Sequence, residues 1–187
     1  NDAGFAMTGS FSCMTLSGLL VFDESNQTVA KEAIVQNLCD LAEDVLSREA
    51  EIQAIVDRDF ERIVYLGSGS LSGLTREAQL KVLELTAGKI ATVFDSSLGF
   101  RHGPKSFVNE KTLLFDFISN NDYTRQYDVD ILEEVNGDKI AAGIIGIGQE
   151  GEVNFSGENF VLKQGTGLLP DGYLALAGGV FAQTVSL

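Results

Sequence analysis

The sequence predicts an α/β fold: a three-layer sandwich with a parallel sheet of about five strands and helices on both faces. Three observations predict it. From residue 61 onward, short β-branched and aromatic runs alternate with helical stretches, the pattern of βαβ units. The runs end in glycine or small polar residues, as strands entering loops do. The chain has 187 residues, 44% hydrophobic and 21% charged, which suits one domain with a core and excludes disorder or a fibre.

The elements follow in order. Residues 5–22 are apolar on more than one face and read as a buried helix. Residues 28–55 place Val29, Ala33, Leu38, Leu41, Val45 and Leu46 at three- and four-residue steps, with Ser25, Asn26 and Thr28 available as N-caps. Residues 62–66 form a strand that runs into Gly67, Ser68, Gly69 and Ser70, and a helix follows over 72–88. Residues 89–94 form a second strand and 112–118 a third, before a helix over 122–135. Residues 139–147 and 159–162 are the last strands, and 171–187 the terminal helix. In such a sheet, ligands sit beyond the carboxyl ends of the strands, where residues 67–70, 95–104 and 119–122 are expected.

Charge narrows the function classes. Against 13 basic side chains stand 27 acidic ones, a net charge of −14. An acidic chain repels nucleic acid and anionic membrane surfaces. No apolar span reaches 18 residues and no basic leader is present, so neither a membrane helix nor a signal peptide is expected. Cys13 and Cys39 lack a CxxC spacing or a neighbouring histidine and read as buried reduced thiols, which implies a cytoplasmic address. Residue 1 is Asn, so the sequence is expected to begin within a longer protein. The charge is also uneven. Residues 1–66 and 106–187 each hold 4 basic and 12 acidic side chains, whereas residues 67–105 hold 5 and 3. That cationic segment suits a small anionic ligand, with chance clustering as the alternative.

Three motifs carry potential chemistry, each with a plainer reading beside it. Gly67, Ser68, Gly69 and Ser70 stand between a strand and a helix, where amides and hydroxyls can cradle a phosphate; a tight turn explains them equally well. Lys81 and Glu84 share a helix face three residues apart, so Glu84 can act as a general base held ionised by its neighbour. A surface ion pair is the plain alternative, and Glu77 is a competing partner for Lys81. His102, the single histidine, stands between Arg101 and a Gly-Pro turn and suits proton transfer near neutral pH, although lone histidines are more often structural. No metal site is expected, since no second histidine exists and the cysteines are distant.

Residues 63–70 (Ile-Val-Tyr-Leu-Gly-Ser-Gly-Ser), 76–89, 99–106 (Gly-Phe-Arg-His-Gly-Pro-Lys-Ser) and 123–128 (Tyr-Thr-Arg-Gln-Tyr-Asp) together resemble the sugar isomerase (SIS) superfamily. Within it they resemble the AgaS group, described as tagatose-6-phosphate ketose/aldose isomerases and as galactosamine-6-phosphate deaminases. The resemblance covers most of residues 61–128. Such proteins carry two SIS domains in tandem. Residues 4–8 resemble the segment that closes the first, so the resemblance implies a second SIS domain over 59–187, after a helical lead-in over 1–58 with a stub of the first. It also implies that a family tail is missing after Leu187.

The resemblance assigns roles as well. Glu84 falls where the related isomerase domain of glucosamine-6-phosphate synthase has its isomerisation base, and Lys81 on the accompanying lysine. His102 matches the ring-opening histidine, contributed across a subunit interface. Of the hydroxyls that hold the sugar phosphate, only Thr8 is carried over; Gly67, Ser68, Gly69, Ser70 and Arg101 complete the candidate substrate ligands. The implied protein is a homo-oligomeric phosphosugar isomerase or deaminating isomerase needing no cofactor and no metal, with this fragment inactive alone. The runner-up is a non-catalytic sugar-phosphate-binding SIS module of a regulator, which would not need Glu84 or His102. A flavodoxin-like nucleotide binder would require a better phosphate loop.

Overall fold

The central strands of a parallel sheet must be apolar on both sides, because helices cover both faces, and the computed structural model shows strands of that kind here. The structure describes residues 7–25, 28–163 and 167–187. In chain order the elements are α1 (Thr8–Phe22), α2 (Thr28–Ser47), α3 (Glu49–Val56), β1 (Arg62–Gly67), α4 (Leu71–Leu85), β2 (Ala91–Asp95), α5 (Ser97–Phe100), a 3-10 turn (Pro104–Phe107), β3 (Thr112–Phe117), α6 (Asp122–Asp138), β4 (Gly143–Gly148), β5 (Glu158–Val161) and α7 (Asp171–Val185). The five strands are parallel in the order β2-β1-β3-β4-β5. The α/β sandwich is therefore the one predicted.

Side-chain alternation along the strands creates two cores. Ile63, Tyr65, Phe115 and Phe117 point to one face, where they join Leu74, Ala78 and Val82 of α4, Phe181 of α7 and residues of α2 and α3. Val64, Leu66 and Leu114 point to the other, against Phe100 of α5 and Ile131, Leu132 and Val135 of α6. Residues 28–56 thus share one core with the sheet. Tyr65 stacks on Phe115 at 5.4 Å between ring centres, and Phe181 meets Phe115 edge-to-face and lies tilted against Phe160. On the pairing side opposite β1, β2 has no strand neighbour among the described residues and is partly exposed.

Several expectations need correction. The helix expected as buried over 5–22 forms as α1, and residues 5 and 6 lie outside the described residues, but none of α1 is buried. Leu16, Leu19 and Leu20 pack on the core near α7, whereas Met14 is 70% and Phe22 83% exposed. Uniform apolarity signals partners on all sides; among the described residues only one side has one. Cys13 and Cys39 are free but exposed, not buried. Cys13 sits on the uncovered part of α1, and Cys39 turns away from Leu38 and Leu41, which α2 buries. The helix expected over 28–55 breaks at Arg48, whose guanidinium reaches the Val161 carbonyl (2.7 Å) and covers the Phe160 ring. Of the expected N-caps, Asn26 lies outside the described residues, and the amide and hydroxyl of Ser25 donate to Asp23. β4 starts at Gly143 because α6 continues to Asp138 and ends on Lys139 at φ 55°.

Phe181→Ala should cost about 3–5 kcal/mol of stability, since it empties the contact between β3, β5 and α7. Urea unfolding would measure this, and a loss below about 1 kcal/mol would contradict the packing described.

Candidate functional site

The chain leaves β1 for β2 on one side and returns to β3 on the other, so the carboxyl ends of β1 and β3 form the crevice where sheets of this topology bind ligands. Here the crevice is filled from within. Asp128 of α6, fully buried, accepts from the hydroxyls of Ser68 (2.7 Å) and Ser97 (2.5 Å) and from the Ser119 amide (3.0 Å). Beside it on β3 lies Asp116, also fully buried. Burial, then the field of Asp128, pushes the Asp116 carboxyl well above the usual carboxylate range.

This arrangement gives the residue 67–70 turn structural work. The Ser68 hydroxyl is held by Asp128, and a Cβ on Gly67 would meet Thr75 Cγ2 at 3.0 Å and Leu71 Cβ at 3.1 Å, so glycine is needed for α4 to approach β1. Ser70 lies at the N-cap of α4, is exposed and caps no amide.

Arg125 does similar work one helical turn before Asp128. It is buried and donates to the carbonyls of Ser119 (3.0 Å), Gln149 (2.9 Å) and Val153 and to Asn154 Oδ1 (2.7 Å). Desolvation lowers its pKa, opposed by the fields of Asp128, Asp122 and Asp171. Residues 123–128, singled out in the sequence only as a family string, therefore hold the two side chains that tie the carboxyl-end loops together. Composition and periodicity carry no hint of Asp116, Ser97 or Ser119.

Lys81 and Glu84 lie near the other end of α4. The Lys81 ammonium, nearly buried, sits 2.9 Å from Glu84 Oε2 and 3.5 Å from Glu77 Oε1. Burial works against its charge, but the Glu84 hydrogen bond and the fields of both carboxylates outweigh it and raise its pKa. Both sequence alternatives for the partner of Lys81 are thus realised. Glu84 stays about one-third exposed, open to a ligand on its outer side.

His102 is exposed, in the turn after α5, and forms no side-chain hydrogen bond among the described residues. Gly103 follows at φ 131°, a conformation that favours glycine and redirects the chain into the Pro104 turn. The neighbouring cations are spoken for. Arg101 Nε lies 3.0 Å from Glu134, and Lys105 pairs with Glu134 (2.5 Å) and Asp138 (2.7 Å). Of the cationic segment, Arg101 and Lys105 are therefore paired by α6 and Lys81 by α4 itself, and Arg101 reaches a ligand only by leaving Glu134. Thr8 opens α1, its carbonyl accepting from Ser12 (3.1 Å).

The candidate residues thus fall into separate groups. Residue 70 and residue 84 stand at opposite ends of α4, about 21 Å apart along its axis. Moreover, α4 covers one face of the sheet, whereas α5 and α6, beside His102, cover the other.

A five-stranded parallel sheet with this order and these helical layers matches the sugar isomerase (SIS) domains of its relatives, and the chain belongs to that superfamily. Its relatives place it with the AgaS group. The chain is 41% identical over 196 residues to the D-galactosamine-6-phosphate deaminase AgaS of Escherichia coli O157:H7, covering 100% of this chain and 48% of the relative. With the AgaS deaminase of Shewanella sp. (strain ANA-3) the identity is 41% over 162 residues, 86% of this chain and 40% of the relative. Among solved structures, the tagatose-6-phosphate ketose/aldose isomerase from Escherichia coli superimposes with a TM-score of 0.86 at 39% identity, covering 98% of this chain and 49% of that one. The chain therefore spans about half the length of the curated relatives it matches. No protein-family model matches it. Among the described residues, no helix is long and apolar enough to cross a membrane.

Arg125→Lys should destabilise the domain by about 3 kcal/mol, because an ammonium cannot serve four acceptors in three directions. Thermal unfolding would check this; an unchanged midpoint would show that the clamp is dispensable.

Proposed function

We propose that the protein carrying this chain is a phosphosugar aldose–ketose isomerase that releases ammonia when C2 of its substrate bears an amine, as in galactosamine 6-phosphate. We read this chain as its second SIS domain (59–187), preceded by a lead-in (1–58) with a stub of the first. The names of its relatives support the reaction class. The observation that carries the reading is the Lys81–Glu84 pair: the ammonium is nearly buried between two carboxylates while Glu84 keeps an open side, unlike a solvated surface pair.

The chemistry assigns the steps. His102 moves the ring proton between O5 and O1, which opens the sugar and makes the C2 proton acidic. Glu84 takes that proton from C2 and returns it to C1 through an enediol or enolamine. Lys81 holds Glu84 in place through the 2.9 Å contact and stabilises the developing oxyanion. With an amine at C2, the resulting ketimine adds water and loses ammonia, leaving the ketose.

Because the layers bearing Glu84 and His102 lie on opposite faces of the sheet, a composite site assembled from two copies of the protein fits better than one within a single chain. Because residues 70 and 84 stand about 21 Å apart along α4, a sugar whose C2 meets Glu84 does not place its phosphate at residues 67–70 of the same chain. The remaining candidate substrate contacts are Ser70 and the Gly69 backbone with a second copy's sugar, Thr8 at the start of α1, and Arg101 once released from Glu134. Gly67 and Ser68 shape the turn from beneath.

The test uses the full-length protein with galactosamine 6-phosphate, measuring ammonia and tagatose 6-phosphate. Ketose formation from an amine-free aldose phosphate, without ammonia from the amino sugar, would exclude the deaminase. Glu84→Gln should lower kcat by at least about 100-fold, and full turnover would remove it as the base. Co-expressed Glu84→Gln and His102→Ala variants should recover about a quarter of wild-type activity if each site draws on two subunits. No recovery in verified mixed dimers would place both groups in one chain.

A further inference from the structure

We propose that Asp116 carries a proton in the folded protein and that Asp116, Ser97 and Asp128 form a neutral-acid latch, which closes the crevice between β1 and β3 and anchors α5. The inference does not depend on the proposed reaction. It rests on an imbalance between donors and buried carboxyl oxygens. Asp128 has three donors, from Ser68, Ser97 and Ser119, which come from the turn after β1, from α5 and from the turn after β3. Asp116 has almost none: its Oδ2 lies 3.5 Å from Ser97 Oγ and its Oδ1 has no hydrogen-bond partner among the described residues.

Among the described residues, no cation answers a second negative charge there. Arg125 of α6 is near enough for its field to act on Asp128, but its N–H groups are used by carbonyls and by Asn154. Asp171 of α7 adds further negative potential at Asp128 while accepting from the Ser119 hydroxyl (2.5 Å) and the Asn120 amide (2.8 Å). A buried carboxylate without donors or a counter-charge is far costlier than the neutral acid. With the proton on Asp116, the bonds close in one direction. The Asp116 O–H donates to Ser97 Oγ, and the Ser97 O–H donates to Asp128. Losing the proton would set two carboxylates around one hydroxyl and load the joint between β3, α5 and α6.

The sign of the pH dependence follows. The folded state holds this proton more tightly than the unfolded chain, so the contribution of Asp116 to stability is full in acid and declines as pH rises through its elevated folded value. Asp116→Asn supplies a neutral side chain of the same shape and removes that decline.

Two measurements on the wild-type protein and Asp116→Asn test the latch without any turnover assay. Infrared difference spectra at pH 7 should show the C=O band of a protonated carboxyl in the wild type and none in the variant. The melting temperature of Asp116→Asn should exceed that of the wild type by about 4 °C or more above the folded titration, with the gap shrinking toward acid. If the variant fails to fold, the wild-type band and its disappearance on alkaline titration decide the matter alone. Ser97→Ala should lower the melting temperature across the whole pH range. Absence of the band in the wild type, or parallel pH curves for wild type and Asp116→Asn, would overturn the proposal.

Discussion

The sheet depends on being apolar on both faces, since each of its central strands passes between two helical layers with no solvent on either side. Tyr65 and Phe115 fill one layer while Val64, Leu66 and Leu114, their neighbours along the chain, fill the other. The sheet is therefore also a partition. Whatever α4 carries on its outer surface is kept apart from whatever follows α5, and the Lys81–Glu84 pair and His102 lie in those two places. The proposed composite site rests on that separation.

A second consequence appears at the carboxyl ends of the strands. Every parallel sheet must end its strands in turns whose amides and carbonyls need partners. Here Arg125 and Asp128, three residues apart on α6, supply donors and acceptors to those turns. The crevice that sheets of this topology offer to ligands is consequently occupied by the protein's own carboxyls and hydroxyls. Gly67 and Ser68, which read equally well as a phosphate cradle or a turn, are bound into that framework.

Kinship and geometry bear on different levels. Identity of about 41% along the chain and superposition at a TM-score of 0.86 establish the SIS fold and the AgaS kinship. The Lys81–Glu84 contact and the exposed His102 turn support the proposed chemistry within that kinship, which the variants separate residue by residue.

Much of the fold is legible from local pattern. The β-branched runs at 62–66 and 112–118 and the glycine at the end of β1 carry information that needs only neighbouring residues, so the element order and the parallel sheet can be read from the sequence. Lys81 and Glu84 can be paired in the same way because a helix fixes residues three apart on one face. The long-range facts are not legible. The apolarity of α1 shows the need for partners but not how many this chain provides, so its burial is overestimated, and that of the cysteines with it. Asp116 and Asp128, twelve residues apart in different elements, meet only when α6 packs across β3. Sequence spacing determines which side chains share a strand or helix face, whereas burial and charge pairing between elements arise only when the layers close.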